Sequence, residues 1–192
     1  PLVVYGYLLI GQSFPLTERV SLGINQVDAY NSLAKPLFLF IAFCMLLSAT
    51  TELGTMQRIE SLLKETGVNA LLVLAFINGI MIIGRAFAGS IVIKIKTTGM
   101  LFLSSVFAFA GLQLLANSSG SFVFISAAFF AIGVTFFWPT TLAFISENIP
   151  ESGAFGMSLI GGLGMLSVSL VLPLMGRFLD NSIGAEVIQK MS

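Results

Sequence analysis

The sequence predicts an all-α membrane protein of five transmembrane helices plus a partial one, and three observations lead to this prediction. Apolar residues make up 56% of the 192 residues and charged residues only 9%, against about 25% in an ordinary soluble domain. Long stretches carry no charge, and the longest covers 50 residues, 97–146. Such stretches suffice to cross a bilayer core of about 30 Å, which takes roughly 20 helical residues. They are too uniformly apolar for barrel strands, which alternate apolar and polar side chains.

The charge-free stretches divide the chain into three parts. Residues 1–11 are predicted to end a transmembrane helix, because this apolar segment is too short to cross alone. Residues 12–35 carry several charges and are predicted to form a solvated connector with a short interfacial helix. Residues 36–192 are predicted to form the transmembrane bundle. Its five spans are expected at residues 36–59, 68–93, 99–116, 121–146 and 153–179, with polar breaks at 117–120 and 147–153.

Composition argues against several classes of function. Nine Lys and Arg balance nine Asp and Glu, so no basic excess is available to bind nucleic acid. The chain has no His, which removes the commonest general base and the commonest metal ligand. A single cysteine, Cys44, cannot build a thiolate metal cluster. The sequence therefore predicts a protein that is not an enzyme and that uses no cofactor, metal or nucleic acid.

Glu52 is the one acidic side chain well inside an apolar span, where an ionisable group costs about 2.5–3.5 kcal/mol on insertion scales. Ser48, Thr51 and Thr55 recur with it at helical spacing, so all four are expected on one face. A ligand or proton site explains this pattern, and so does hydrogen bonding between helices of a bundle. Because the pattern includes a carboxylate, we favour the site. Glu52 is the predicted proton-coupling and substrate-binding residue, with Thr51 and Thr55 beside it.

Arg85 lies towards the end of the second predicted span, and the spacing places Asn78 and Gly89 on its face. Asn78 is a candidate for contact with a polar ligand. Arg85 is either the counter-ion of a carboxylate in the cavity or a clamp that caps a neighbouring helix end near Lys94. The clamp is the favoured explanation.

Pro139 interrupts the fourth predicted span. Proline lacks the backbone N–H, so it frees a carbonyl near Thr135, and we expect a kink there. Trp138 and Thr141 lie beside this kink and are predicted to bind the substrate, because sugar faces stack on aromatic rings. A tryptophan that faces lipid is the alternative. The fifth span is rich in Gly and Ser and is predicted to be a packing surface.

Four segments of the chain resemble the major facilitator superfamily. Residues 84–94, followed by Lys96 and Gly99, resemble the loop between helices 8 and 9 of that family, with Gly89 as its signature glycine and Lys94 as its first basic residue. Ile93 stands where the signature often has Asp. The other segments, 51–55, 137–141 and 173–176, resemble helices 7, 10 and 11 of sugar-type members such as the fucose permease-like proton symporters.

The resemblance implies half of a major facilitator bundle, with the five spans as helices 7 to 11. Residues 1–11 would then end helix 6 and residues 12–35 would be the cytoplasmic connector, while helix 12 and the N-terminal half of the protein would be missing from this chain. The implied function is uptake of a small polar solute, expected to be a sugar, together with protons across the cell membrane by alternating access. Arg85, Gly89 and Lys94 would have structural or gating roles.

Basic residues are counted as four on each side of the membrane, so the positive-inside rule does not choose an orientation. The resemblance implies that Lys35, Lys94 and Glu147 are cytoplasmic. The partners expected are the solute, protons, the lipid bilayer and the N-terminal half. A membrane channel or a non-transporting membrane scaffold is the alternative function.

Overall fold

The computed structural model describes residues 4, 7, 9–12, 23, 25–64 and 66–191, with the backbone alone for residues 26, 93 and 179–191. The predicted partial helix at residues 1–11 and the connector before residue 25 fall largely outside the described residues. Every regular element in the described ranges is a helix. The all-α prediction is therefore confirmed for this part of the chain.

The described chain forms a succession of helices joined by short turns. The α-helices are α1 (Gln26–Leu33), α2 (Pro36–Ala49), α3 (Thr55–Leu62), α4 (Ala70–Ala86), α5 (Ala88–Ala116), α6 (Phe122–Thr135), α7 (Phe137–Asn148) and α8 (Gly153–Met191). A π-helical turn, Thr50–Gly54, joins α2 to α3, and a 3-10 helix, Pro150–Ser152, precedes α8. Pro36 and Pro150 each stand at a helix start, where the missing N–H costs no hydrogen bond.

Four helical stretches are long and apolar enough to cross a membrane, namely Pro36–Leu62, Lys94–Ala116, Phe122–Asn148 and Pro150–Phe178. The 17-residue α4 is a shorter apolar helix. Large apolar side chains such as Leu71, Phe102 and Phe109 are exposed along these helices, as on a surface that faces lipid. The chain therefore has the long apolar helices of a multi-pass membrane protein.

The second and third predicted spans have other boundaries in the structure. Phe87 forms a turn that ends α4, so the second span stops short of residue 93. Helix α5 begins at Ala88 rather than at residue 99, and Lys96 interrupts it with a φ of 62°. Gly89 consequently lies on α5. The prediction that Gly89 shares a face with Asn78 and Arg85 is wrong, because the turn separates them.

Both predicted polar breaks are confirmed. Residues 117–120 form the turn between α5 and α6, with Gly120 at a φ of 55° that glycine adopts without a Cβ clash. The backbone N–H of Gly120 donates to the carbonyl of Thr66 at 3.1 Å, which brings this turn to the loop between α3 and α4. The 3-10 helix lies in the second break, and Gly153, at a φ of 53°, begins α8.

The buried apolar side chains form two clusters. The first contains side chains from all five helices from α3 through α7. Its members are Ile59, Leu63, Val73, Ile77, Met81, Ala108, Leu115, Val123, Ala127, Phe130, Ala131, Val134 and Phe137. The second joins α2, the end of α7 and α8, and comprises Phe38, Ile41, Ala42, Met45, Ile145, Ile149 and Ile160. Trp138 packs against both clusters. It therefore lies between the two halves of the core.

Helices α5 and α6 meet with their backbones in contact. A Cβ at Gly111 would lie 2.3 Å from the backbone nitrogen of Phe130, and a Cβ at Gly133 would lie 2.2 Å from that of Ala108. Glycine at both positions allows this approach, as small residues do between membrane helices. Among the glycines for which the structure describes the surroundings, the tightest contacts are thus between the third and fourth predicted spans. The sequence analysis did not single out this place.

The small residues of α8 only partly form the predicted packing surface. A Cβ at Gly164 would lie 2.7 Å from the indole Cη2 of Trp138, so α8 comes very near to α7 there. In contrast, nothing lies within 4 Å of a Cβ at Gly161 or Gly162. The packing role is confirmed for one face of the helix and not for the other.

Candidate functional site

Glu52 lies in the π-helical turn at the junction of α2 and α3. A π turn is wider than an α turn, and such insertions are frequent at functional sites. The side chain of Glu52 is 4% exposed, so its carboxylate is removed from solvent by the packed helices. A buried carboxylate requires a partner of opposite charge or a proton to be stable.

Arg85 supplies a partner of opposite charge from α4. Its Nη2 lies 3.0 Å from Glu52 Oε1, which makes a charge-assisted hydrogen bond and an ion pair. The two side chains differ in exposure, with 43% for Arg85 against 4% for Glu52. The carboxylate is therefore at the inner end of the pair, and the guanidinium is at its accessible end.

The guanidinium of Arg85 also binds a backbone carbonyl at the break in the fourth predicted span. In an α-helix the carbonyl of Thr135 would accept from the N–H of the residue four positions on, which is Pro139 and has no N–H. The structure confirms an interruption here, since α6 ends at Thr135 and α7 begins at Phe137. Arg85 Nε donates to the freed carbonyl of Thr135 at 3.1 Å. Arg85 thus pairs with a buried carboxylate, although Glu52 lines neither of the cavities described below. It also caps a helix end, which is at Thr135 and not near Lys94.

A glycine beside Arg85 makes this contact possible. A Cβ at Gly84 would lie 2.8 Å from Thr135 Cγ2, closer than packed carbon atoms approach. The absence of a side chain at Gly84 therefore lets α4 lie directly against the end of α6. Arg85, the next residue, then reaches both the carbonyl of Thr135 and the carboxylate of Glu52.

One oxygen of the Glu52 carboxylate is left unpaired. Its Oε2 is buried and has no hydrogen-bond partner among the described residues. A buried polar atom of this kind costs free energy until a proton, a water molecule or a ligand satisfies it. The arrangement can therefore accept one donor at Glu52 Oε2 while Oε1 stays paired with Arg85.

The four polar side chains predicted to share one helix face, Ser48, Thr51, Glu52 and Thr55, are not equally buried in the structure. Thr55 is buried with Glu52, whereas Ser48 and Thr51 are only partly buried. The hydroxyl of Thr51 donates to the carbonyl of Leu47 in its own helix at 2.9 Å. The spacing assumed an unbroken α-helix, and the π turn changes the angle between successive side chains. The four side chains consequently do not form one buried polar wall.

The remaining predicted substrate-binding residues lie in different surroundings. Asn78 is exposed, and its Nδ2 donates to the carbonyl of Leu74 in its own helix at 2.8 Å. Trp138 is partly buried between the two core clusters, with its indole against Gly164. Thr141 is buried and lines a cavity. The three side chains thus differ in burial, and Asn78 is on a different helix from the other two.

Two cavities adjoin at Thr98, which lines both. The first, of about 260 Å³, is mainly apolar and lies between α2, α5 and α7, lined by Leu37, Phe40, Ile41, Cys44, Ser48, Thr98, Leu101, Phe102, Ser105, Phe137, Thr141 and Phe144. The second, of about 420 Å³, has five polar or charged residues among its six lining residues, which are Val92, Lys96, Thr97, Thr98, Glu147 and Asn148. Of the predicted substrate-binding residues, only Thr141 lines either cavity.

Polar contacts join the helices at the end of the bundle that carries Glu147. Thr97 donates to Glu147 Oε2 at 2.9 Å, which links α5 to α7. Lys35 Nζ lies 3.1 Å from Glu151 Oε1 and links the start of α2 to the 3-10 helix. Lys94 is exposed on α5, and nothing lies within 4 Å of a Cβ at Gly89. The hydrogen bond that links α5 to α7 here therefore comes from Thr97, and not from Gly89 or Lys94, the two predicted gating residues on α5.

The sequence analysis also missed Arg58. Its Nη2 donates to the carbonyl of Leu172 in α8 at 3.3 Å, and it occupies the space where Gly176 lacks a side chain. Gly176 on α8 could have indicated that a large side chain packs there, but α8 contains many glycines, so this one did not stand out in the sequence. Within the described residues, no group of three or more His, Cys, Asp or Glu is placed to hold a metal ion.

Comparison of the chain with models of protein families, with curated proteins and with solved structures finds no match in any of the three.

Proposed function

We propose that this chain belongs to a secondary active transporter that takes up a small polar solute, of the size and chemistry of a sugar, together with protons. The observation that carries the proposal is the Glu52 carboxylate, which is buried in an apolar helix with one oxygen paired to Arg85 and the other unpaired. Ionisable groups inside membrane helices are costly and typically mark proton relays or substrate pathways. A purely structural ion pair would be expected to satisfy both carboxylate oxygens.

The position of the site within the bundle also supports transport. Thr135, the carbonyl of which binds Arg85, is 13 residues from each end of the stretch Phe122–Asn148 (135 − 122 and 148 − 135). The contact is therefore at the middle of an apolar rod. Interrupted helices near the bilayer midplane, with unwound backbone carbonyls, are a recurring feature of transporter binding sites.

We further propose that the chain is one half of a major facilitator bundle in the cell membrane, with α4 and the first turns of α5, up to Lys94, together as a fifth span. Arg85 is near the end of α4 and contacts Thr135 at the middle of the α6–α7 rod, so α4 alone would cross only part of the bilayer. The cavity would then lie between this half and a second half, with Thr51, Thr55, Asn78, Trp138 and Thr141 facing it in at least one conformation. The support is the resemblance of residues 84–94 and 137–141 to that family.

The test is uptake by proteoliposomes that contain the complete protein, with L-fucose, D-galactose and D-glucose as labelled probes and an imposed pH gradient. In the Glu52→Gln variant we expect proton-driven accumulation to be lost and exchange of solute across the membrane to persist. Gln keeps the shape and an acceptor oxygen but carries no exchangeable charge. The matched control is Glu60→Gln, because Glu60 is exposed on α3 and should leave accumulation unchanged.

Undiminished accumulation in Glu52→Gln would contradict the proposed role of Glu52 in coupling. A flux of solute that rises linearly with concentration, without saturation, would instead favour a channel. An absence of solute flux in the unmodified protein would favour the membrane scaffold.

A further inference from the structure

Arg85 forms hydrogen bonds with both the buried carboxylate and the broken helix. Its Nη2 binds Glu52 Oε1 at 3.0 Å, and its Nε binds the carbonyl of Thr135 at 3.1 Å. The two acceptors belong to different helical rods, one formed by α2 and α3 and the other by α6 and α7. A single planar group therefore connects them.

The two bonds depend on each other because the guanidinium is rigid. Its nitrogen donors have a fixed geometry, so the direction in which Nη2 is held determines where Nε points. When Glu52 is charged, the ion pair holds the plane of the group, and Nε remains on the carbonyl of Thr135. When Glu52 loses its charge, the ion pair becomes a hydrogen bond to a neutral acceptor, which holds this plane more weakly.

The carbonyl of Thr135 lacks the usual N–H donor four residues on in its own rod. Pro139 removes the N–H that would close this turn, and the next backbone bond in α7 runs from the N–H of Thr140 to the carbonyl of Phe136. The angle between α6 and α7 therefore depends on a bond from outside the helix. Proline-broken helices are the usual places where membrane helices bend.

We propose that Arg85 is a positioning residue through which the charge of Glu52 sets the bend between α6 and α7. The charged carboxylate holds the bend in one geometry, and the neutral carboxylate releases it. The inference rests on the proposed function, in which Glu52 loses and regains its charge in each transport cycle. It adds the regulation of that site, since the bend moves Trp138 and Thr141, which follow it on α7.

The test measures the bend directly by electron–electron resonance between two spin labels in lipid nanodiscs. The labels are attached at Phe122→Cys and Asn148→Cys, which are exposed at the two ends of the α6–α7 rod, in a background in which Cys44 is replaced by Ser. With charged Glu52 we expect one narrow distribution of distances. In Glu52→Gln the distribution should shift by more than its own width and broaden.

Two further variants separate the coupling from a general loss of structure. Arg85→Lys keeps a positive charge beside Glu52 but replaces the several nitrogen donors of the guanidinium by a single nitrogen, which cannot bind both acceptors in a fixed geometry. It should therefore broaden the distribution of label distances as Glu52→Gln does. Pro139→Ala restores the missing N–H and closes the turn, so it should give a narrow distribution. Adding Glu52→Gln to Pro139→Ala should then change nothing.

Several results would overturn the inference. It fails if Glu52→Gln leaves the distances unchanged, if Arg85→Lys leaves them unchanged, or if Glu52→Gln shifts them equally with and without Pro139. The measurement requires no solute and no uptake. If the protein takes up no solute, the transport proposal fails. If Glu52→Gln abolishes accumulation as expected but leaves the label distances unchanged, only this inference fails.

Discussion

At the scale of single residues, the contact between α4 and α6 depends on the side chain that Gly84 lacks. Thr135 Cγ2 lies 2.8 Å from the position of a Cβ at Gly84, and Thr135 is itself buried, so neither group can move easily. Arg85 follows Gly84 directly. Separation of the two helices would lengthen the bond from Arg85 to the carbonyl of Thr135.

We predict that Gly84→Ala destabilises the fold by about 1–3 kcal/mol, the usual cost of an overpacked contact. The matched control is Gly79→Ala on the same helix, where nothing lies within 4 Å of the added Cβ. Since Ala is the better helix former by about 1 kcal/mol, the control should be neutral or slightly stabilising. Thermal unfolding of both variants in detergent measures the difference, and equal unfolding temperatures would contradict the prediction.

At the scale of elements, the α5–α6 pair is held by backbone contact rather than by interlocking side chains. Gly111 faces the backbone of Phe130, and Gly133 faces the backbone of Ala108, so the close approach is reciprocal. In lipid, where there is no hydrophobic driving force between helices, such van der Waals contact is a main source of association. The turn at residues 117–120 keeps the two helices antiparallel.

We predict that Gly133→Ala separates α5 from α6 and destabilises the fold by about 3 kcal/mol, at the upper end of overpacking costs because a backbone atom cannot rotate away. Gly162→Ala, on the open side of α8, is the control and should not lower stability. Unfolding in a series of SDS fractions compares the two. If Gly162→Ala is as unstable as Gly133→Ala, the short distance from the added Cβ to the backbone of Ala108 does not explain the loss of stability.

At the scale of the whole molecule, polar contacts gather the connecting segments at the two ends of the bundle. The Thr97–Glu147 and Lys35–Glu151 contacts lie at one end. The bond from Gly120 to Thr66 joins two loops at the other end. The apolar stretch Phe122–Asn148 runs between these ends with 27 residues, or about 40 Å. This length matches a bilayer with its interfaces.

We predict that the two ends are on opposite sides of the membrane. In a background in which Cys44 is replaced by Ser, Asn148→Cys should react with an impermeant maleimide from one side of sealed vesicles. Ser119→Cys and Lys64→Cys should react only from the other side, because the loops that contain them are joined. Permeabilised vesicles provide the control for reactivity. Labelling of Asn148→Cys and Ser119→Cys from the same side would rule out a membrane-crossing stretch at Phe122–Asn148.

Much of the site could be predicted from residue types alone. A carboxylate in a charge-free stretch is conspicuous at Glu52, and a proline inside an apolar span marks the break near Thr135. Predicting the partner of Arg85 was harder, because residues 52, 85 and 135 are far apart in sequence. Predictions from helical spacing failed at Gly89 and across the Glu52 stripe, since a turn and a π-helical turn alter the angles that the spacing assumes.

The sequence by itself determined that this chain is helical, apolar and broken at the polar segments, because the distribution of charge and proline acts locally. It also determined that Glu52 is the acid buried in an apolar span. Only the tertiary structure decided that Arg85 pairs with Glu52, that its second donor caps the carbonyl freed by Pro139, and that Gly84 allows the approach. These contacts join three helical rods, and their distances follow from how the rods pack, which no local pattern of residues specifies.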